Sequence, residues 1–139
     1  MIQKEIDFYI YELSDYHQYQ RFVCRIVEEV YQKGLQILVL CENKDACQKL
    51  DEALWNFKET SFIPHIVQSH NSIVTLDLQS SLAKNPRSLL NTSYNFPPSC
   101  ENYNQVIEMS GYDHSSRQKA REIFKQYKNM KFKINSVHI

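Results

Sequence analysis

An α/β fold with a mostly parallel sheet between two layers of helices is what the sequence predicts, on three observations. Gln36-Ile37-Leu38-Val39-Leu40-Cys41 is a continuous apolar run, the pattern of a strand buried on both faces. Stretches of helical periodicity precede and follow it, which makes a β-α-β-α opening. Such a crossover is right-handed in nearly all sheets. Finally, 139 residues with 42% hydrophobic content suit one domain, residues 1–139, with a core of ordinary size. The architecture is Rossmann-like, yet Gly34 and Gly111 are the only glycines. Neither GxGxxG nor GxxxxGK[ST] can be written in this chain, so the expected fold lacks a phosphate-binding loop.

The elements follow in order. Ile6 to Leu13 (IDFYIYEL) is aromatic and β-branched and predicts the first strand. Ser14 and Asp15 offer an N-cap. From Tyr16 to Lys33, Tyr19, Phe22, Val23, Ile26, Val27 and Val30 recur at helical spacing, and Gly34 suits the position after the C-cap. The Gln36–Cys41 strand comes next. Asn43 can cap a second helix whose core face is Ala46, Leu50, Ala53 and Leu54. Pro64 marks a connection, and Ile66 to Gln68 begins another strand. Ser72 to Leu78 (SIVTLDL) reads as a strand, 80–86 as a loop and Leu89-Leu90 as a short strand. Asn91 to Asn102, with Pro97-Pro98 and little periodicity, reads as a loop. Gln105 to Met109 is a further strand, Ser115 to Met130 a helix and Phe132 to Val137 a last edge strand.

A formal net charge of zero hides a strong asymmetry. Residues 117–133 hold seven cations (Arg117, Lys119, Arg121, Lys125, Lys128, Lys131, Lys133) and one acid, Glu122. That segment carries +6, and the remainder −6. Helical spacing puts Arg117, Arg121, Lys125 and Lys128 on one face, and Ala120, Ile123, Tyr127 and Met130 on another that packs on the sheet. Phe124 lies between them. Such a stripe is commonly a solvated helix face. With an aromatic at its margin it also suits an acidic peptide bearing an apolar anchor, because arginine grips carboxylates bidentately.

Other chemistry finds little support. Cys24, Cys41, Cys47 and Cys100 form no CxxC pair, and Cys24 and Cys41 sit at core positions. His17, His65, His70, His114 and His138 match no zinc framework, so neither metal nor cofactor is expected. Asp51 and Glu52 are adjacent on a helix and diverge, which does not suit paired acid–base work. An enzymatic site would need a polar cluster at the carboxyl ends of the strands, where only Glu42 and Asn43 stand out. No run is long enough to span a membrane, and Met1 to Glu5 lacks a signal peptide's cationic start, so a cytoplasmic protein is expected. Trp55 is the one tryptophan; it either closes the second helix as a core or rim residue or anchors an interface with Phe57, Phe62 and Pro64.

Leu50-Asp51-Glu52-Ala53-Leu54-Trp55 followed by Ser61-Phe62-Ile63-Pro64-His65 resembles the chi subunit of bacterial DNA polymerase III. The resemblance extends from the second strand to His65 and again from Gln105 to Phe132, through Tyr112 and Ala120-Arg121-Glu122. It implies a Rossmann-like domain without catalytic activity, an accessory subunit of a DNA-directed polymerase in DNA replication. One surface would bind the acidic C-terminal tail of single-stranded-DNA-binding protein through Arg117, Arg121, Phe124 and Lys125. Ser110, at an apolar position of the family, and Lys128 would line the tail pocket. Trp55, Phe62 and Pro64 would bind the psi subunit, which joins chi to the clamp loader. DNA contact would be mainly indirect. The alternative is a domain that binds single-stranded nucleic acid directly through the basic helix; that mode adds stacking aromatics along a groove, and the helix exposes at most Phe124.

Overall fold

Ile37–Cys41 (β2) is buried at every residue, which a strand achieves only inside a sheet covered on both faces. In the computed structural model, which describes residues 5–10, 15–56, 65–67, 74–77, 88–97 and 100–138, β2 pairs with β4 (Val74–Asp77) on one side and β5 (Ser88–Thr92) on the other. β3 (His65–Val67), β6 (Gln105–Met109), β1 (Glu5–Ile10) and β7 (Lys133–His138) extend the sheet to seven strands in the order β3-β4-β2-β5-β6-β1-β7. Every pairing among the described residues is parallel.

Strand residues alternate between two cores, as a pleat of period two requires. Ile37, Val39, Cys41, Leu76, Leu90, Ile107 and Met109 face α1 (Tyr16–Gln32) and α2 (Lys44–Asn56). Ile6, Leu38, Leu40, Leu89 and Val106 face α3 (His114–Asn129). This is the three-layer α/β arrangement expected from the sequence. Each fully buried Leu, Ile or Val contributes roughly 1.5–3 kcal/mol, so the two cores are the main source of stability.

The helix ends follow local chemistry. The Asp15 carboxylate accepts from Gln18 N at 2.8 Å and caps α1, while the Asn43 carboxamide accepts from Ala46 N at 2.8 Å and caps α2. Gly34 takes φ +74° after α1, where Gly34 N donates to Tyr31 O and Leu35 N to Val30 O. α3 ends in the same double-bonded motif with a lysine in the glycine's place. Lys131 has φ +63°, Lys131 N donates to Lys128 O, and Phe132 N donates to Tyr127 O.

Some expectations are corrected. Asn91 and Thr92 are not loop but the end of β5, and 100–102 is a 3-10 turn. The polar Asn91 is stable in a strand because Glu108 and Asn95 accept its side-chain N–H groups. Met130 is not on the packed face; it is 46% exposed, because the chain turns after Asn129 and Phe132 packs on Tyr127 instead, ring centroids 5.7 Å apart. On α2 the fully inward positions are Cys47, Leu50 and Leu54, with Ala46 and Ala53 half-buried. The first strand is described to Ile10, and Leu13 and Ser14 lie outside the described residues, as do Phe57, Phe62, Pro64 and the 80–86 loop. No helix among the described residues is long and apolar enough to cross a membrane.

Candidate functional site

The basic helix is fixed at both ends and along its underside. At its start Ser116 N donates to Asp113 Oδ1 at 2.8 Å and Asp113 N to Ser116 Oγ at 3.1 Å, a capping box. Those bonds from Ser116 hold the Asp113 carboxyl below the usual carboxylate range. Gly111 lets the preceding loop lie against this turn: a Cβ there would stand 2.6 Å from Arg117 N. Ser110 N donates to Tyr9 O at 3.0 Å, which extends the β1–β6 alignment beyond β6.

Beneath the helix, Glu108 is 2% exposed. Its Oε2 accepts from Tyr127 Oη at 2.7 Å and from Asn91 Nδ2 at 2.9 Å. Burial pushes this carboxyl up to about 8, and the two hydrogen bonds act in the opposite direction. Burial and the adjacent Glu108 also raise the Tyr127 phenol. A single buried polar cluster therefore pins α3 to β5 and β6. Nothing in the sequence reading anticipated it, although a glutamate inside the apolar run Val106–Met109 was a visible signal.

The expected site residues are brought together on α3. Ala120, Ile123 and Tyr127 are buried, and Arg121, Lys125 and Lys128 are exposed. Arg117 is half-buried at the first turn. Phe124 is half-buried at the margin of the stripe, its ring edge-on to Phe8 with centroids 5.5 Å apart. The result is a cationic ridge beside an aromatic wedge, with half-buried Ser110 at the carboxyl end of β6. This geometry can present guanidinium groups to carboxylates while an apolar side chain lies against Phe124.

Trp55 belongs to a different surface. It is 51% exposed near the end of α2, on the opposite side of the sheet from α3. Its exposure removes the core reading of this residue. Phe62 and Pro64, expected beside it, lie outside the described residues.

The structure also gathers residues that the sequence left scattered. Tyr16 and Tyr19 of α1, Tyr94 after β5 and Tyr112 after β6 converge at the carboxyl ends of the strands. Tyr19 and Tyr112 ring centroids are 5.2 Å apart, Tyr16 and Tyr112 5.3 Å, and Tyr19 and Tyr94 6.1 Å. With Glu42, Asn43, Asp45 and Lys49 they line a crevice of about 230 Å³. Sequence separation of up to 96 positions, from Tyr16 to Tyr112, left no local signal of this cluster. Among the described residues no three of His, Cys, Asp and Glu are placed to hold a metal ion.

The comparisons with known proteins agree on one family. The family model described as DNA polymerase III chi subunit, HolC, matches residues 3–135. A DNA polymerase III subunit chi of Escherichia coli K12 is 29% identical over 124 residues, 84% of this chain and 83% of that protein. The subunit chi of Pseudomonas aeruginosa is 26% identical over 131 residues, 93% of this chain and 92% of its own length. That of Haemophilus influenzae is 21% identical over 141 residues, 98% of each. With a family match running from β1 through three helices and into β7, the chain belongs to the DNA polymerase III chi subunit family.

Proposed function

We propose that this protein is a non-catalytic adaptor of the DNA polymerase III holoenzyme in DNA replication, acting in the cytoplasm through two protein-binding surfaces. The α3 surface receives the acidic C-terminal tail of single-stranded-DNA-binding protein. Arg121, Lys125 and Arg117 engage its carboxylates, Phe124 packs on its terminal apolar residue, and Ser110 and Lys128 border the pocket. The surface at Trp55, with Phe62 and Pro64, receives the psi subunit and through it the clamp loader. The observation that carries the first assignment is the exposed Arg121–Lys125–Lys128 ridge beside the half-buried ring of Phe124. A 51% exposed tryptophan on a helix otherwise inward-facing through Leu50 and Leu54 supports the second.

Titration with a synthetic acidic peptide ending in Asp-Phe tests the tail site. Removing the terminal Phe should weaken binding, and added salt should weaken it further. Arg121→Ala should cost about 1.5–3 kcal/mol of peptide affinity, the range for a charge-assisted hydrogen bond, with the thermal melt unchanged. Unchanged affinity in an Arg117→Ala/Arg121→Ala double variant sinks the assignment. Tighter binding of a single-stranded oligonucleotide than of the peptide, lost in the same variant, would replace it with direct nucleic-acid binding.

A further inference from the structure

In a parallel sheet, ligands bind outside the carboxyl ends of strands where neighbouring connections leave in opposite directions. β2 and β5 are such neighbours. The chain leaves β2 through α2 toward β3 and β4, and leaves β5 toward β6 on the other side. The tyrosine-lined crevice opens at this point, between Glu42-Asn43 after β2 and Thr92 and Tyr94 at the end of β5.

Two details mark it as more than a surface dent. Tyr94 has φ +62°, a left-handed conformation that bulky residues adopt only when their surroundings enforce it. The enforcement is visible: Asn91 Nδ2 donates to Asn95 O at 2.8 Å, Ser93 Oγ donates to Asn91 Oδ1 at 2.6 Å, and Asn95 N donates to Ser93 Oγ at 3.2 Å. The Tyr94 hydroxyl is also buried, close to the phenols of Tyr19 and Tyr112.

The chemistry of the lining selects the occupant. Aromatic faces attract cations, and the ammonium of Lys119 already stands 5.9 Å over the ring of Tyr94 from outside the crevice. The lining holds two carboxylates, Glu42 and Asp45, against one cation, Lys49. Lys49 is paired with Asp45 at 3.1 Å, and both side chains are more than half exposed, so the pair yields readily to a competing cation. A phosphate would meet the uncompensated carboxylate of Glu42. The volume of about 230 Å³ falls below that of drug-sized ligand pockets and fits a single side chain.

We propose that this crevice is a socket for one arginine side chain of a partner protein. The guanidinium stacks on the tyrosine rings and pairs with Glu42. The socket lies at the carboxyl ends of the strands, beside the start of α3 where Lys119 reaches Tyr94, and does not depend on the tail-binding assignment.

The test is an NMR titration of the full chain with N-acetyl-arginine amide, and in parallel with N-acetyl-citrulline amide, its uncharged near-isostere. Saturable shifts at Tyr16, Tyr19, Tyr94 and Tyr112 are expected, with citrulline about tenfold weaker. Glu42→Gln, at an exposed position, should weaken arginine about three- to tenfold while the fold and its melt are kept. Equal binding of citrulline, shifts confined to α3, or full affinity in Glu42→Gln would overturn the proposal. So would a thymidine oligonucleotide that perturbs the same four tyrosines more strongly than arginine, since the crevice would then stack bases.

Discussion

Replacing Glu108 with glutamine should remove a pH dependence of stability that the buried cluster builds into the fold. The carboxyl stands at about 8 in the native protein against an ordinary value of 4.5. Between those values the native state keeps a proton that the unfolded chain releases, so unfolding becomes easier as pH rises. The contribution is complete below about pH 4.5 and is lost by about pH 8. At roughly 1.4 kcal/mol per pH unit the ceiling is about 5 kcal/mol, and relaxation around the charge should leave about 2–4 kcal/mol. Glutamine is neutral throughout. Its oxygen, placed at Oε2, can accept from Tyr127 Oη and Asn91 Nδ2 as the carboxyl does, and only the longer 3.2 Å contact from Asn91 to Oε1 is lost. Urea denaturation of parent and Glu108→Gln protein at pH 5, 6, 7 and 8.5 measures the difference directly. The variant should be level with or slightly below the parent at pH 5 and more stable at pH 8.5. A difference that stays constant with pH would show that Glu108 titrates normally and would refute the reasoning.

Three further outcomes can be checked by the same urea denaturation. Lys131→Gly should stabilise the protein by about 0.5–1 kcal/mol, because φ +63° at the turn after α3 strains any residue with a Cβ. Gly111→Ala should destabilise it by about 1–3 kcal/mol, since the new Cβ meets backbone atoms of Ser116 and Arg117 that cannot swing aside. Trp55→Ala should cost less than about 1.5 kcal/mol, well short of the 3–5 kcal/mol typical of a buried tryptophan, because half of its surface already faces solvent; a larger loss would return Trp55 to a structural role.

What the sequence made legible was whatever repeats at short range. The apolar run of β2, the helical spacing in α1 and α3, and the caps at Asp15, Asn43 and Gly34 all act within a few residues, and each is found where local chemistry puts it. The basic stripe was legible for the same reason, since the spacing of Arg117, Arg121, Lys125 and Lys128 is a property of one helix. Asn91 was misread because its strand conformation depends on Glu108, seventeen positions away. Met130 was misread because periodicity says nothing about where a helix stops, which the Lys131–Phe132 turn decides. The tyrosine crevice was invisible because its four rings come from three separate crossings of the sheet edge.

The same network shows how one domain can hold two surfaces in fixed geometry. Asn91 uses one side-chain nitrogen for two purposes: it donates across to Glu108 on β6 and forward to Asn95 O in the loop that carries Tyr94. Glu108 in turn receives Tyr127 from α3. A chain of three buried side chains thus runs from the underside of the basic helix, along the α3 face of β6 and β5, to the loop that carries Tyr94. Apolar packing alone would set the spacing of these layers but not their register, because van der Waals contacts are nondirectional. Directional bonds among buried groups do set register, at the cost that every member must remain satisfied. That is a physical reason to keep an ionisable residue in this core. If α3 and the Tyr94 loop engage different proteins, their mutual placement determines how the partners are held relative to each other.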